Sequence, residues 1–318
     1  MSQRAGRTGP EIAASHADSQ SDPRRGQRRG RGNRSAADTR LREELRIVSQ
    51  ETKRQLPTIL ATVPHCPPDG FLYRPPEPPR LNPKDCPQIL AQKIQVLESD
   101  TYDAAIMLIQ PNTSTANQTP PCVLNMASDR APGGGWLSGA RAQEEALCRR
   151  SSLSMTLQRR FYPVPSDAVM YSPTVVIFRK SLRDGHGLLD LAKPETLPVV
   201  SVISMAAIRR PAVTAIDSLM KYANPNDRNL TKEKMRMVLR LSVWKGHRRL
   251  VLGALGCGAF RNPNGEVAEC WAEVFAEPEF QGGWWERVVF AVLDDTGGGK
   301  RGEGNFGTFS SRLEGMSI

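Results

Sequence analysis

Residues 122–149 read CVLNMASDRAPGGGWLSGARAQEEALCR. CVLNMAS is apolar without alternation, the pattern of a strand buried on both faces, and AQEEALCRR beyond it lacks breakers and predicts a helix. Between them stand Gly133, Gly134 and Gly135. Consecutive glycines lose the most conformational entropy on folding and bury no side chain. Their place between a buried strand and a helix entrance calls for bare backbone at the carboxyl end of a sheet, where open α/β sheets bind ligands.

The unit recurs. RRLVLGALGCGAF (248–260) is again an apolar strand running into a glycine-rich turn, and the helix EVAECWAEVFAE (266–277) follows. Unsatisfied backbone N–H groups and the helix dipole point the same way at such a turn, which favours anions. A close-packed turn explains either loop alone. Two on one sheet edge suggest a diphosphate between them.

Outward from these loops, KIQVLESD (93–100), AVMYSP (168–173), TVVIFR (174–179), LPVVSVISMAA (197–207) and RVVFAVLDD (287–295) read as strands. TYDAAIMLIQ (101–110), TKEKMRMVLRLSVWKG (231–246) and NFGTFSSRLEGM (305–316) read as helices. AQEEALCRRSSLSMTLQRRFY (142–162) reads as one helix of about five turns. Apolar strands alternating with amphipathic helices predict a three-layer α/β/α sandwich with a mixed, largely parallel sheet. TGGGKRGEG (296–304) lacks the early glycine and the Ser/Thr after Lys300 of a P-loop and reads as a flexible loop. PGGGWLSG is not GxGxxG, which disfavours a nicotinamide enzyme.

Three segments organise the 318 residues. Residues 1–36 hold eight arginines against Glu11, Asp18 and Asp22 and no apolar periodicity, so they read as a disordered basic tail. Its RRGQRRGRGNR run would attract nucleic acid or another polyanion by charge, or serve only as a solubilising tail. Residues 37–92 read as an extension, with Leu41, Leu45, Val48 and Leu56 spaced as a helix face and PHCPPDGFLYRPPEPPRLNP (64–83) too proline-dense for helix or central strand. Residues 93–318 make the core, and 39% hydrophobic residues suffice to fill it.

The six cysteines show no CxxC spacing and only His65 adjoins one, which indicates neither a zinc site nor disulfides. A reducing compartment, nuclear or cytoplasmic, follows, with no secretion signal and no apolar run long enough for a membrane.

Glu144 and Glu145 fall at the helix entrance, where the dipole stabilises carboxylates. A favourable first turn is one reading. Beside a diphosphate cradle, however, adjacent carboxylates suit a glycosidic reaction, in which one group protonates a leaving oxygen and a cationic sugar is stabilised.

The run GGG, a short spacer, then QEE, as Gly133–Gly135 and Gln143-Glu144-Glu145 stand here, resembles the signature of poly(ADP-ribose) glycohydrolases of the compact bacterial and fungal type. VLNMAS before the glycines, GALGCGAF (253–260) and the helical preface RLREELRIVSQETKRQL resemble that family too, so that the likeness spans about residues 39–315. It implies a macrodomain-like fold that hydrolyses ribose–ribose bonds of poly(ADP-ribose) without metal or cofactor. Glu145 would be the general acid and then the base that activates water. Glu144 would hold ribose hydroxyls, Gln143 would support the turn, and Asn125 and Ser128 would stand at the ribose. Gly133 to Gly135 and Gly256 to Ala259 would grip the diphosphate, and Phe260 would lie beside the distal ribose. The implied partners are poly(ADP-ribose) and ADP-ribosylated proteins, and the implied state is a monomer. Ser128 departs from the asparagine of the animal enzymes, Arg261 from a frequent glycine, IRRPAV is unusually basic, and PNTSTANQTPP (111–121) looks inserted. The competing reading is a macrodomain that binds ADP-ribose without cleaving it. An RNA-binding factor ranks last, since only 6% of residues are aromatic.

Overall fold

The computed structural model describes residues 35–90, 92–109, 119–217 and 219–318. The basic tail, but for its last two residues, and most of PNTSTANQTPP lie outside the described residues. The strands of the main sheet are β1 (Phe71–Tyr73), β2 (Gln95–Leu97), β3 (Cys122–Met126), β4 (Val169–Val176), β5 (Val199–Met205), β8 (Arg249–Leu252) and β9 (Arg287–Ala291), and β6 (Val213–Ile216) and β7 (Leu219–Tyr222) form a hairpin apart from it. The helices are α1 (Ala36–Thr62), α2 (Thr101–Met107), α3 (Gln143–Arg150), α4 (Leu153–Thr156), α5 (Pro225–Trp244), α6 (Asn264–Phe275) and α7 (Asn305–Leu313).

The sheet runs β1-β4-β5-β3-β8-β9-β2. It is parallel from β5 to β2 and antiparallel where β4 joins β5 and β1. One face packs on α5, α6 and α7 through Trp271, Phe275, Trp285, Phe290 and Phe309. The other packs on α2, α3 and α4 through Tyr102, Leu147 and Leu153 over Val123 and Val251. These are the three layers expected. α1 buries Leu45, Ser49, Thr52, Leu56 and Ile59, so two hydroxyls occupy the face that the leucine spacing marked. Ser49 donates to the Trp136 carbonyl at 2.7 Å and Thr52 to that of Arg149 at 2.9 Å, and these bonds seat α1 against the segment around α3.

Three sequence expectations are corrected, and two elements, β1 at the sheet edge and the β6–β7 hairpin, add to the rest. The five-turn helix breaks after Arg150, because Ser151 and Ser152 capture backbone groups that a helix would use. Ser151 Oγ donates to the Leu147 carbonyl and accepts from Leu153 N–H, and Ser152 exchanges bonds with Val176. AVMYSP and TVVIFR are one strand, β4, whose register shifts between Ser172 and Val175 around Pro173. The proline-rich connector contributes β1, which as an edge strand tolerates its neighbours. The hairpin β6–β7 went unread, since β6 is exposed along its whole length and has no core-facing period. TGGGKRGEG is gathered by Asp294, whose carboxylate accepts N–H bonds from Thr296, Gly297 and Gly299.

Candidate active site

β3 pairs with β5 over all its residues but with β8 only at Cys122 and Val123. Beyond that point the sheet splays, and Leu124 C=O and Met126 N–H face the gap. Gln143, the first residue of α3, fills it. Its Oε1 accepts from Met126 N–H at 2.8 Å, and its Nε2 donates to the Leu124 carbonyl at 2.7 Å and to Thr101 Oγ1 at 3.1 Å. The helix start is thereby fixed to the middle of the sheet.

The next two residues carry the carboxylates. Glu144 is 3% exposed. It accepts from Ser128 N–H at 2.8 Å and Asn125 Nδ2 at 3.4 Å. Burial pushes its pKa up to about 8 against the pull of these donors, and the neighbouring Glu145 adds to the rise. Glu145 Oε1 accepts from Gly135 N–H at 2.9 Å, while its Oε2 is buried with no partner in the protein.

The three glycines serve three purposes. A Cβ on Gly133 would meet the Trp136 ring at 2.7 Å and Cys148 Sγ at 2.9 Å; one on Gly134 would meet Glu145 Oε1 at 2.6 Å and Glu144 Oε2 at 3.1 Å; one on Gly135 would meet Ala140 at 2.9 Å. Gly133 and Gly134 also have φ of +67° and +56°. The N–H of Gly134 is used by the Ala131 carbonyl and that of Gly135 by Glu145. This turn wraps the carboxylate pair.

The second loop keeps its donors free. The N–H groups of Gly256, Gly258, Ala259 and Phe260 make no hydrogen bond among the described residues. Asn262 shapes the loop: its Nδ2 donates to the carbonyls of Ile208 at 2.7 Å and Gly256 at 3.2 Å, and its Oδ1 accepts from Tyr222 OH at 2.9 Å. Gly256, at φ +78°, has no room for a Cβ, which would stand 2.5 Å from Asn262 and Ala207. Gly258 has nothing within 4 Å of that position. The Phe260 ring lies under the Arg209 guanidinium at 4.1 Å, and Arg209 also donates to Asp129.

Both loops border one cleft of about 710 Å³, a size that takes a dinucleotide-like ligand. Ser128, Gly134, Gly135, Gln143, Glu144, Glu145, Gly256, Gly258, Ala259 and Phe260 line it. Three expected ligand contacts fall elsewhere. Asn125 is fully buried behind Glu144 and spends its Nδ2 on Ser204 and Glu144. Gly133 packs against Trp136, and Cys257 turns its thiol toward the Leu255 carbonyl and the core. Gln143 borders the cleft, but its amide is committed to β3. Sequence reasoning missed Asn262 and Arg209; the runs RNPNG and IRRP that hold them were the only signals.

Beneath the site, Arg150 is 1% exposed and donates to Asp100 and, at 2.5 Å, to Asp103. This ties the far end of α3 to α2. All six cysteines are free thiols. Among the described residues no group of three His, Cys, Asp or Glu side chains comes together, and no helix is long and apolar enough to cross a membrane.

A central parallel sheet with a free-donor loop facing a buried carboxylate pair defines a macrodomain with glycosidase equipment. Residues 39–180 match the family Microbial-type PARG, catalytic domain. The structure is similar to the poly(ADP-ribose) glycohydrolase of Thermomonospora curvata, also solved with the inhibitor ADP-HPD, at 30% identity and a TM-score of 0.67, over 85% of this chain and 99% of that one. The Deinococcus radiodurans poly(ADP-ribose) glycohydrolase in complex with ADP-ribose is similar at 29% identity and a TM-score of 0.58, over 77% and 94% of the two chains. No curated protein matches the sequence. The chain belongs to the microbial-type poly(ADP-ribose) glycohydrolase family.

Proposed function

We propose that this chain hydrolyses the ribose–ribose bonds of poly(ADP-ribose) with Glu145 as its general acid and base. One observation carries the assignment: of the two carboxyls at the glycine turn, Glu144 has both oxygens engaged by protein donors, whereas Glu145 Oε2 has none. Glu145 delivers a proton to the ribose oxygen that leaves. The resulting carboxylate stands beside the oxocarbenium-like sugar and then takes a proton from the attacking water. Glu144, held protonated at pH 7 by burial, binds ribose hydroxyls without placing a second negative charge at Glu145. The free N–H groups of Gly256, Gly258, Ala259 and Phe260 receive the diphosphate, with Phe260 at the distal ribose. Neither step calls on a metal ion, because the proton comes from a carboxyl and the backbone supplies positive potential. The parallels with the two solved bacterial enzymes support this reading.

The test is Glu145→Gln, which preserves shape and removes the transferable proton. Polymer cleavage is expected to fall at least about a thousandfold, while ADP-ribose affinity, read by calorimetry, changes only a few fold. Near-normal release from Glu145→Gln with loss in Glu144→Gln would move the acid to Glu144. Tight binding without release by the unaltered protein would favour the non-catalytic reader.

A further inference from the structure

Two successive arginines close α3, and both are buried: Arg149 is 2% exposed and Arg150 1%. A buried cation ordinarily needs an anion beside it. Arg150 has two, Asp100 and Asp103, and donates to the Arg179 carbonyl as well. Arg149 forms no ion pair among the described residues. Its Nη1 donates to the Ala140 carbonyl at 2.8 Å, and its Nε is buried with no partner in the protein. Burial presses its pKa down, and the charge that most offsets this is Glu145, four residues back on the same helix face. Long side chains on a helix lean toward its amino terminus, so the guanidinium lies under the turn that leads into α3.

The bond to Ala140 is the first link of a chain that ends on the acid. Ala140 N–H donates to the Gly135 carbonyl at 3.2 Å, and Gly135 N–H donates to Glu145 Oε1 at 2.9 Å. The segment from Gly135 to Ala140 is held from outside by α1, where Ser49 takes the Trp136 carbonyl and Arg42 that of Ser138. Arg149 holds its far end from inside. Thr52 of α1 donates to the Arg149 carbonyl at 2.9 Å, which fixes the backbone from which the guanidinium reaches.

We propose that Arg149 is a positioning residue for the reaction: through Ala140 and Gly135 it aims Glu145 Oε1, and its charge stands behind the carboxylate that remains once the proton has left. This inference rests on the assignment of the acid to Glu145. Arg149 does not line the cleft, so it acts on the carboxyl and not on the substrate.

The test compares the unaltered full-length chain with Arg149→Met, which fills the space without a donor or a charge, Arg149→Lys, Glu145→Gln and the double variant Arg149→Met/Glu145→Gln. kcat and KM for polymer are measured well below each melting temperature, together with calorimetric affinity for ADP-ribose and hydrogen exchange at the Gly135 amide. Arg149→Met is expected to lower kcat about thirtyfold to a hundredfold, the cost of an acid misplaced by about 1 Å, and to leave KM and ADP-ribose affinity within about threefold. Arg149→Lys, which keeps the charge and a donor, recovers most of that loss. In the Glu145→Gln background the change to Met costs less than about threefold more, because no acid is left to aim. Exchange at Gly135 quickens at least about tenfold. A kcat within about threefold of normal in Arg149→Met overturns the proposal even if the melting temperature falls, since Arg149 would then be structural alone. So does a full second loss in the Glu145→Gln background, or a fall in ADP-ribose affinity as large as that in kcat. If Arg149→Met does not fold, Arg149→Gln carries the same comparison. Near-normal release by Glu145→Gln would fault the assignment of the acid instead, and exchange at Gly135 would still decide the positioning: an unchanged rate in Arg149→Met overturns it.

Discussion

Gly134→Ala separates the two jobs that glycines perform around this cleft. The residue has φ +56°, where an L side chain costs about 1–2 kcal/mol. The added Cβ would stand 2.6 Å from Glu145 Oε1, against 3.4 Å for ordinary contact, so the carboxylate must retreat by most of an ångström. That oxygen is the one that accepts Gly135 N–H at 2.9 Å, so the retreat breaks the bond that aims the acid. A misplacement of about 1 Å costs on the order of a hundredfold in rate. Turnover of polymer is therefore expected to drop about a hundredfold, and the melting temperature by a few degrees at roughly 2–4 °C per kcal/mol. ADP-ribose binding should be largely kept. Gly258→Ala is the counterpart. With no protein atom within 4 Å of its Cβ and no positive φ, it should melt as the unaltered protein does, yet bind ADP-ribose more weakly because the methyl enters the diphosphate site. Release of ADP-ribose from polymer, thermal melts and calorimetry on both variants decide the matter. A Gly134→Ala enzyme within threefold of normal turnover would falsify the claim that this glycine exists to seat the glutamates.

Other expectations follow from the same geometry. Arg150→Ala empties a fully buried site, leaves the half-buried Asp100 without its cation and should cost about 3 kcal/mol in urea unfolding; a loss under about 1 kcal/mol would show the pair to be incidental. Glu144 holds its proton up to about pH 8 in the folded chain but only to about 4.5 when unfolded, so the native state binds the extra proton between those values and loses stability as pH rises through them. Glu144→Gln removes this loss, and its melting temperature relative to the unaltered protein should climb from pH 5 to pH 8; a difference that stays flat with pH would refute the raised pKa. Thorough chelation should leave ADP-ribose release unchanged, and restoration of lost activity by magnesium would contradict the carboxyl mechanism.

The sequence made the strands legible because burial on both faces leaves an unbroken apolar run, as in CVLNM, VVSVISM and RVVFA. It made the cleft's carboxylate pair legible through GGG and QEE taken together. What it concealed is long-range pairing. The wrapping of Glu145 by Gly135, ten residues away, could not be told from an anion cradle, since both demand bare N–H groups. Asn125 was a ligand contact only by resemblance, and alternation along β3 turns it toward Ser204. Ser151 and Ser152 ended a helix that propensity alone would continue, through partners at Val176 that no local window contains. The exposed hairpin β6–β7 left no period at all.

The clamping of α3 at both ends has a bearing on how this molecule breathes. Gln143 secures its entrance to β3, and Arg150 and Ser152 secure its exit to α2 and β4. A two-turn segment held this way has no end from which to fray. Its amide protons should exchange with solvent only when the whole domain opens, whereas those of β6 and β7 should exchange through small local excursions. The carboxylate pair at the start of α3 thus sits in a segment expected to be among the most persistent of the molecule, and motions that open the cleft fall to the loops and the outer helix around it.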